Sequence, residues 1–301
     1  MKMKNKRMQW DRATLSFISY FVLFVFGMAC LLPFLIVLTS SFTSEKALLR
    51  NGYSLLPAEL SVDAYKYVFT NPIRILQAYA NTTLVTLIGT VLAVGIATMT
   101  GYVLARRDFK WHNGFSFFFF FTTLFSGGLV PWYLMCSSYL GFKDNYIARV
   151  LPLMFSVWNV ILAKSYMKGI AFEIIESGKI DGANDLQIFA KLIFPLTTPL
   201  IATLTLFTAL SYWNDWYYSM LFISKQPMQS LQYMLQQILA SIQAMKQLAA
   251  SGEMATVNAA DIPSAGLKMA MTCVTVGPII LLYPFLQRYF IKGMTIGAVK
   301  G

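Results

Sequence analysis

Three stretches of this chain contain no Lys, Arg, Asp or Glu: 13–44, 75–105 and 113–142. Each exceeds the roughly 20 apolar residues that a helix needs to cross the hydrocarbon core of a bilayer. Backbone N–H and C=O groups find no water in that layer, so such a run must satisfy them internally, as a helix. Composition agrees: 57% of the 301 residues are hydrophobic and 12% are charged, about half the charged fraction of an ordinary soluble domain. A fourth span is expected over 146–167, with Arg149 and Lys164 near its ends, where long side chains snorkel to the membrane surface. The fifth covers 192–214 and the sixth 269–287. The expected fold is an all-α integral membrane protein with six transmembrane helices, which puts both termini on one side.

Positive charge decides which side that is. The segments 1–12, 106–110, 164–191 and 288–300 hold 15 Lys and Arg, and the alternate loops hold 9. By the positive-inside rule the first set is cytoplasmic. The net charge of +11 therefore reflects topology and attraction to anionic lipid headgroups, and nucleic acid is not an expected partner. The basic start, Lys2 to Arg12, with Gly27-Met28-Ala29-Cys30 further on, is like a cleaved leader, but the apolar run continues to Leu38, which favours a retained first span. Cys30, Cys136 and Cys273 lie inside spans without metal-ligand spacing, and the single His112 sits beside Trp111 at a membrane edge, so no metal site is expected. No convergent acid–base set and no G-x-x-x-x-G-K-[S/T] phosphate loop occurs, so no catalytic residue is assigned and the chain does not itself hydrolyse ATP.

The stretch 172–199 is a polar island between two apolar segments, with four acids and two lysines. Its pattern predicts a short amphipathic helix over 172–180, a reversal at Gly182, and a second helix begun by a capping box of Asn184 and Gln187. On that second helix Leu186, Phe189, Ala190 and Ile193 follow i, i+3, i+4, i+7 spacing and form one apolar face. The predicted hairpin can be pushed as a rigid body by a partner, or it packs only on its own chain.

Other segments carry weaker signals. Residues 45–74 form an outer loop with a helix starting at Ser61. The second span carries Gly89, Thr90, Gly95, Thr98 and Gly101, small residues that allow close helix approach in lipid, here expected at an interface with a partner subunit. Gly127, Gly128 and Pro131 weaken or kink the third span. At the end of the fifth, Trp213, Asn214, Asp215 and Trp216 combine aromatic faces with hydrogen-bonding groups, which suits a sugar, although Trp and Tyr also belt membrane interfaces. Over 225–267, Leu231, Met234, Leu235, Ile238, Ile242 and Met245 trace one face of a helix expected to lie along the membrane or on a partner, and Gly252 and Asn258 to Pro263 end it.

Three of these strings also carry a resemblance. Glu176 to Ala183 (ESGKIDGA) followed by Phe189 and Phe194-Pro195 resembles the Glu-Ala-Ala loop of ABC importer permease subunits, with Ser177 and Gly178 in place of the two alanines. FSGGLVPWYL in the third span and the tail ending Gly-Ala-Val-Lys-Gly are similar to the oligosaccharide-permease branch of the carbohydrate-type importers. The resemblance implies a type I ABC importer permease fold and a cytoplasmic coupling helix. Glu176, Ser177, Gly178, Ile180, Asp181, Gly182, Ala183, Asn184, Phe189 and Pro195 would then transmit ATPase motion, and Trp213, Asn214, Asp215 and Trp216 would border the substrate path. The implied partners are ATP-binding cassette ATPase subunits, a second homologous permease subunit, an extracytoplasmic solute-binding protein, an oligosaccharide and membrane lipid. No cofactor is expected in this chain, ATP and Mg being held by the partner ATPase. The expected location is the bacterial cell membrane, with both termini cytoplasmic. The expected divisions are 1–74 (tail, first span, outer loop), 75–292 (core with coupling loop 168–199) and 293–301 (tail). An ion-gradient-driven transporter or a membrane scaffold subunit are the alternatives.

Overall fold

The structure, a computed structural model, describes residues 2–251 and 264–280, with side chains from Thr14 onward, Ala250 excepted. In chain order the helices are α1 (Lys2–Ser41), α2 (Glu45–Asn51), α3 (Asp63–Val68), α4 (Pro72–Ala105), α5 (His112–Leu124), α6 (Leu129–Leu134), α7 (Ile147–Met154), α8 (Val157–Met167), α9 (Phe172–Ile180), α10 (Asp185–Ile188), α11 (Phe194–Leu196), α12 (Thr198–Trp213), α13 (Tyr217–Phe222) and α14 (Leu231–Ala250), then α15 (Ala265–Ile280). Wider, π-helical turns occupy Met135–Tyr139 and Phe189–Ile193. Among the described residues the only β pairing outside named strands is an isolated bridge between Thr43 and Leu60.

Among the described residues two helical stretches, Thr14–Ser41 and Pro72–Ala105, are long and apolar enough to cross a membrane, and up to five spans result if each bent helix pair counts as one. The third expected span is broken, not merely kinked: its halves meet at 112°. Gly128 takes φ +87°, a conformation that side-chain-bearing residues avoid, and Pro131 sits in the first turn of α6. The fourth bends by 44° and the fifth by 83°. The apolar helix α15 covers the start of the sixth expected span. Residues 281–287, the tail 288–301 and the expected helix break at 252–263 lie outside the described residues.

The described residues form two compact units. In the first, residues up to 70 with 238–251 and 264–277, Ser44 caps α2 by accepting the Ala47 N–H at 3.2 Å. Glu45 in turn accepts the N–H groups of Ala265 and Gly266 at the head of α15, at 3.1 and 2.9 Å, which leaves its carboxylate where orphan helix donors are found. The apolar part of α1 is bare.

The second unit, residues 71–237 with 278–280, is built around α4, which α7, α8 and α12 flank. Glycines set how closely they approach. A Cβ on Gly89 would lie 2.4 Å from the Tyr212 ring of α12, and one on Gly101 would lie 2.5 Å from Ala163 Cβ of α8. Gly89 and Gly101 therefore pack within this chain and not on a partner, whereas a Cβ on Gly95 would meet open space. The lipid- or partner-facing side of α4 is its large apolar one, with Leu84, Leu87, Ile88 and Val91 exposed. Arg149 is also corrected: it does not snorkel but is 0% exposed. α14 likewise packs on its own chain at its start, where Leu231, Met234 and Leu235 are buried and Met245 is exposed.

Candidate functional site

At the C-terminal end of α4 stands the hairpin of α9 and α10. Ala183 N–H donates to Gly178 O and Gly182 N–H to Lys179 O, both at 3.0 Å, closing the turn, and Gly182 adopts φ +79°. Asn184 Oδ1 accepts the Gln187 N–H at 2.8 Å while Gln187 Oε1 accepts the Asn184 N–H at 2.9 Å, so the capping box is reciprocal. The expected apolar face is rotated. Ile188, Phe189 and Ile193 are buried, whereas Leu186 and Ala190 are exposed. The π turn over Phe189–Ile193 adds a residue to the turn and shifts the face, and no sequence period announces it.

The buried side of the hairpin is an anchor. Phe189 lies 5.3 Å from the Tyr102 ring of α4 and 5.9 Å from Phe194, and Ile175, Ile188 and Ile193 join the same core as Val160 and Leu204. Gly178 belongs to this inner side: a Cβ there would sit 2.9 Å from Leu192 Cδ1 and 3.1 Å from Ile188 Cγ1. Its smallness thus serves the contact between α9 and the following helix. Glu176, Ser177, Asp181, Asn184 and Pro195 are exposed and Ala183 is half-buried.

Charge pins the hairpin to the loop after α4. Arg106 donates through Nε to Asp108 at 2.8 Å and through Nη1 to Asp185 of α10, and Lys179 of α9 donates to Asp108 Oδ2 at 2.7 Å. The Arg106 guanidinium bonded to Asp108, with Lys179 beside it, holds that carboxyl well below the usual carboxylate range. Both helices of the hairpin are therefore tied to one loop. Sequence reasoning missed these four residues, because their partners are 2 to 79 positions apart. Among the exposed polar residues two large apolar side chains face outward: Ile180 is 86% exposed and Leu186 65%. Beside Leu186 runs a groove of about 440 Å³ floored by Met99, Tyr102 and Val103 of α4.

The other end of α4, ~50 Å away at 1.5 Å per residue, holds a second polar assembly. Asn81 donates to Pro227 O, Arg74 to the side-chain oxygens of Gln229 and Gln237 at 3.2 and 3.1 Å, and Arg149 of α7 to Met228 O at 3.2 Å. Thr82 Oγ1 accepts the Leu231 N–H at 2.9 Å and Ser219 Oγ accepts the Ser230 N–H at 3.0 Å. The 227–231 strap is thus clasped from α4, α7 and α13. The expected sugar-binding string lies alongside. Trp213 and Asp215 are buried, Asn214 accepts from Gln232 at 3.2 Å, and Trp216 is partly exposed. Arg149 was the residue to single out from the sequence: an ionisable group within an apolar run.

No protein-family model matches the chain. It is 36% identical over 283 residues to the polygalacturonan/rhamnogalacturonan transport system permease protein YtcP of Bacillus subtilis, covering 94% of this chain and 96% of that one. It is 36% identical to the protein LplC of the same organism, covering 91% of each. Among solved structures, a bacterial ABC transporter involved in the import of the acidic polysaccharide alginate superposes with a TM-score of 0.75 at 26% identity, over 92% of this chain and 96% of that one. An all-helical core, a turn-linked hairpin at one end of its central helix and this degree of identity along nearly the whole length place the chain in the permease-subunit family of carbohydrate-type ABC importers.

Proposed function

We propose that this chain forms, with a second homologous permease subunit, the transmembrane path of an ATP-driven importer for an acidic oligosaccharide delivered by an extracytoplasmic solute-binding protein. The observation that carries the reading is the α9–α10 hairpin, anchored in the core on one side, tied by Arg106, Asp108, Lys179 and Asp185, and presenting Ile180 and Leu186 to the outside. An ATPase subunit seated on those side chains moves the hairpin, and the hairpin carries α4 with it through Phe189 and Tyr102. Glu176, Asp181 and Asn184, exposed around the same turn, supply polar contacts at the rim. ATP and Mg reside in the partner, since this chain has no phosphate loop. The hairpin and both termini lie on the cytoplasmic side of a bacterial cell membrane, in keeping with the distribution of Lys and Arg.

At the far end, Asn214 and Trp216 border the sugar path, backed by Trp213 and Asp215. The acidic character of the substrate is supported by two relatives, one whose name specifies polygalacturonan and one described with alginate. Relatives named as transport-system permeases, and a solved ABC importer, support the importer over an ion-gradient transporter or a scaffold. The test is uptake by proteoliposomes holding the whole complex and its binding protein. ATP-dependent uptake of oligogalacturonides over neutral maltooligosaccharides of equal length is expected; preference for the neutral sugar would overturn the acidic assignment, and uptake that ignores ATP would overturn the importer.

A further inference from the structure

Arg149 carries a permanent charge, has no exposure, and directs one donor, Nη1, to Met228 O at 3.2 Å. Its Nε and Nη2 groups find no hydrogen-bond partner among the described residues. Those two N–H groups form one edge of the guanidinium, the edge that grips a carboxylate with two parallel bonds. The acid in its electrostatic reach is Asp215, which is 7% exposed. Asp215 Oδ1 accepts the Tyr218 N–H at 3.0 Å, in the first turn of α13, and its Oδ2 is unpartnered. A donor edge and an acceptor oxygen, complementary in charge and both buried, thus lie on two packed helical segments within electrostatic reach and without a bond to each other. Leaving such groups unpaired inside a protein is costly, so their persistence calls for a state in which they meet.

The surrounding geometry supplies a pivot. α7 and α13 are packed together, and the Asp144 corner bonds the C-terminal end of α13 directly to the residues that lead into α7. There the Asp144 N–H donates to Phe222 O at 2.8 Å, and Asp144 Oδ1 accepts the N–H groups of Ser224 and Lys225 at 2.6 and 3.0 Å. Asp144 takes φ +55° at this corner. The opposite end of α13, at Tyr217, follows Asp215, just past the break that ends α12. A helix of six residues is ~9 Å long, so tilting it ~10° about the Asp144 corner carries the Asp215 end ~1.5 Å.

We propose that Arg149 and Asp215 are the two halves of a latch that closes as a guanidinium–carboxylate pair in one transport state and opens in the other, so that Arg149 positions the Trp213–Trp216 segment beside the sugar path. The inference rests on the importer reading, because it needs two transport states. Arg149 is a positioning residue: it acts through Asp215 and does not touch sugar. Closing the latch draws the head of α13 toward α7, and opening it releases Trp216 and Asn214 together. The 227–231 strap, bonded to Arg149 and Ser219, follows.

The test uses the complete complex in nanodiscs. Spin labels are placed at Ile147 of α7 and Met220 of α13, both exposed, and their separation is measured without nucleotide and after vanadate trapping. Uptake is measured in parallel for wild type, Asp215→Asn, Arg149→Gln and the double variant. The latch predicts a separation that changes between states in wild type and no longer changes in Asp215→Asn, which keeps the bond to Tyr218. It also predicts that each single variant lowers uptake about tenfold and that the double variant is no worse than either. A separation that is the same in both states, or that still changes in Asp215→Asn, overturns the latch, as does wild-type uptake in Asp215→Asn. If wild type itself shows no ATP-dependent uptake, the importer reading falls and the latch with it; if wild type transports and the variants do so equally, the latch alone falls.

Discussion

The two ends of α4 treat their polar groups in opposite ways. At the C-terminal end the charged groups Arg106, Asp108, Asp185 and Lys179 bond to one another, with only the nearby Tyr102 hydroxyl left without a hydrogen bond among the described residues, and Ile180 and Leu186 face outward. At the N-terminal end charged groups are buried, with donors of Arg74 and Arg149 and an oxygen of Asp215 unpartnered among the described residues, while Ile73 and Leu76 face outward. A fully satisfied network holds one geometry, whereas a partly satisfied one has something to gain from another. The first end is built to receive a push as a rigid piece, and the second to change its bonding in response.

The largest effect comes from breaking the rod that connects them. Gly89→Leu drives a side chain into the Tyr212 ring, an aromatic wall also fixed by its hydroxyl, which donates to Val150 O at 2.7 Å. The folded complex is expected to be lost from detergent extracts, a destabilisation of about 3 kcal/mol or more, seen as the absence of a monodisperse size-exclusion peak. Next comes the buried end. Arg149→Met leaves Asp215 buried without a nearby opposite charge and costs about 3 kcal/mol, while adding Asp215→Asn restores or exceeds wild-type stability, because both buried charges are then gone. Differential scanning of the three proteins would show the order; a double variant less stable than the single would contradict it.

The pinned end is expected to give a smaller, pH-dependent effect. The folded pKa of Asp108 lies below its unfolded value because Arg106 and Lys179 bond its ionised form. Its contribution is therefore complete above about pH 4 and is lost as pH falls toward the depressed value. Wild type should lose thermal stability over that acid range more steeply than Arg106→Met, which has less to lose. Parallel curves would show that the network does not hold the hairpin.

Much of the pinned end was legible in the sequence. The bounds of α9, the reversal at Gly182 and the reciprocal box of Asn184 and Gln187 follow from local rules, because each is satisfied by residues within four positions. The identity of the inward face was not, since one wide turn at Phe189–Ile193 rotates Ile188 in and Leu186 out. The buried end was barely legible. Snorkelling is a sound expectation for an arginine near the end of an apolar run, and it failed because α7 is short, bent away from α8 by 44° and covered by the strap that Arg149 itself holds. Such bonds join residues up to 163 positions apart, which no local pattern can reveal. Likewise Gly89 and Gly101 announced close helix contact but not whose helix was contacted.

The most direct measurement is affinity purification of the chain from native membranes in mild detergent, wild type beside Leu186→Asp, with partners identified by mass spectrometry. Leu186 is 65% exposed, so the charge changes the outward face and leaves the core alone. The account predicts that wild type brings down a second permease subunit and an ATPase subunit, and that Leu186→Asp keeps the permease and loses the ATPase. Retention of the ATPase at wild-type levels by Leu186→Asp would contradict a docking role for this hairpin, and a wild-type chain that purifies with no ATPase at all would contradict the importer.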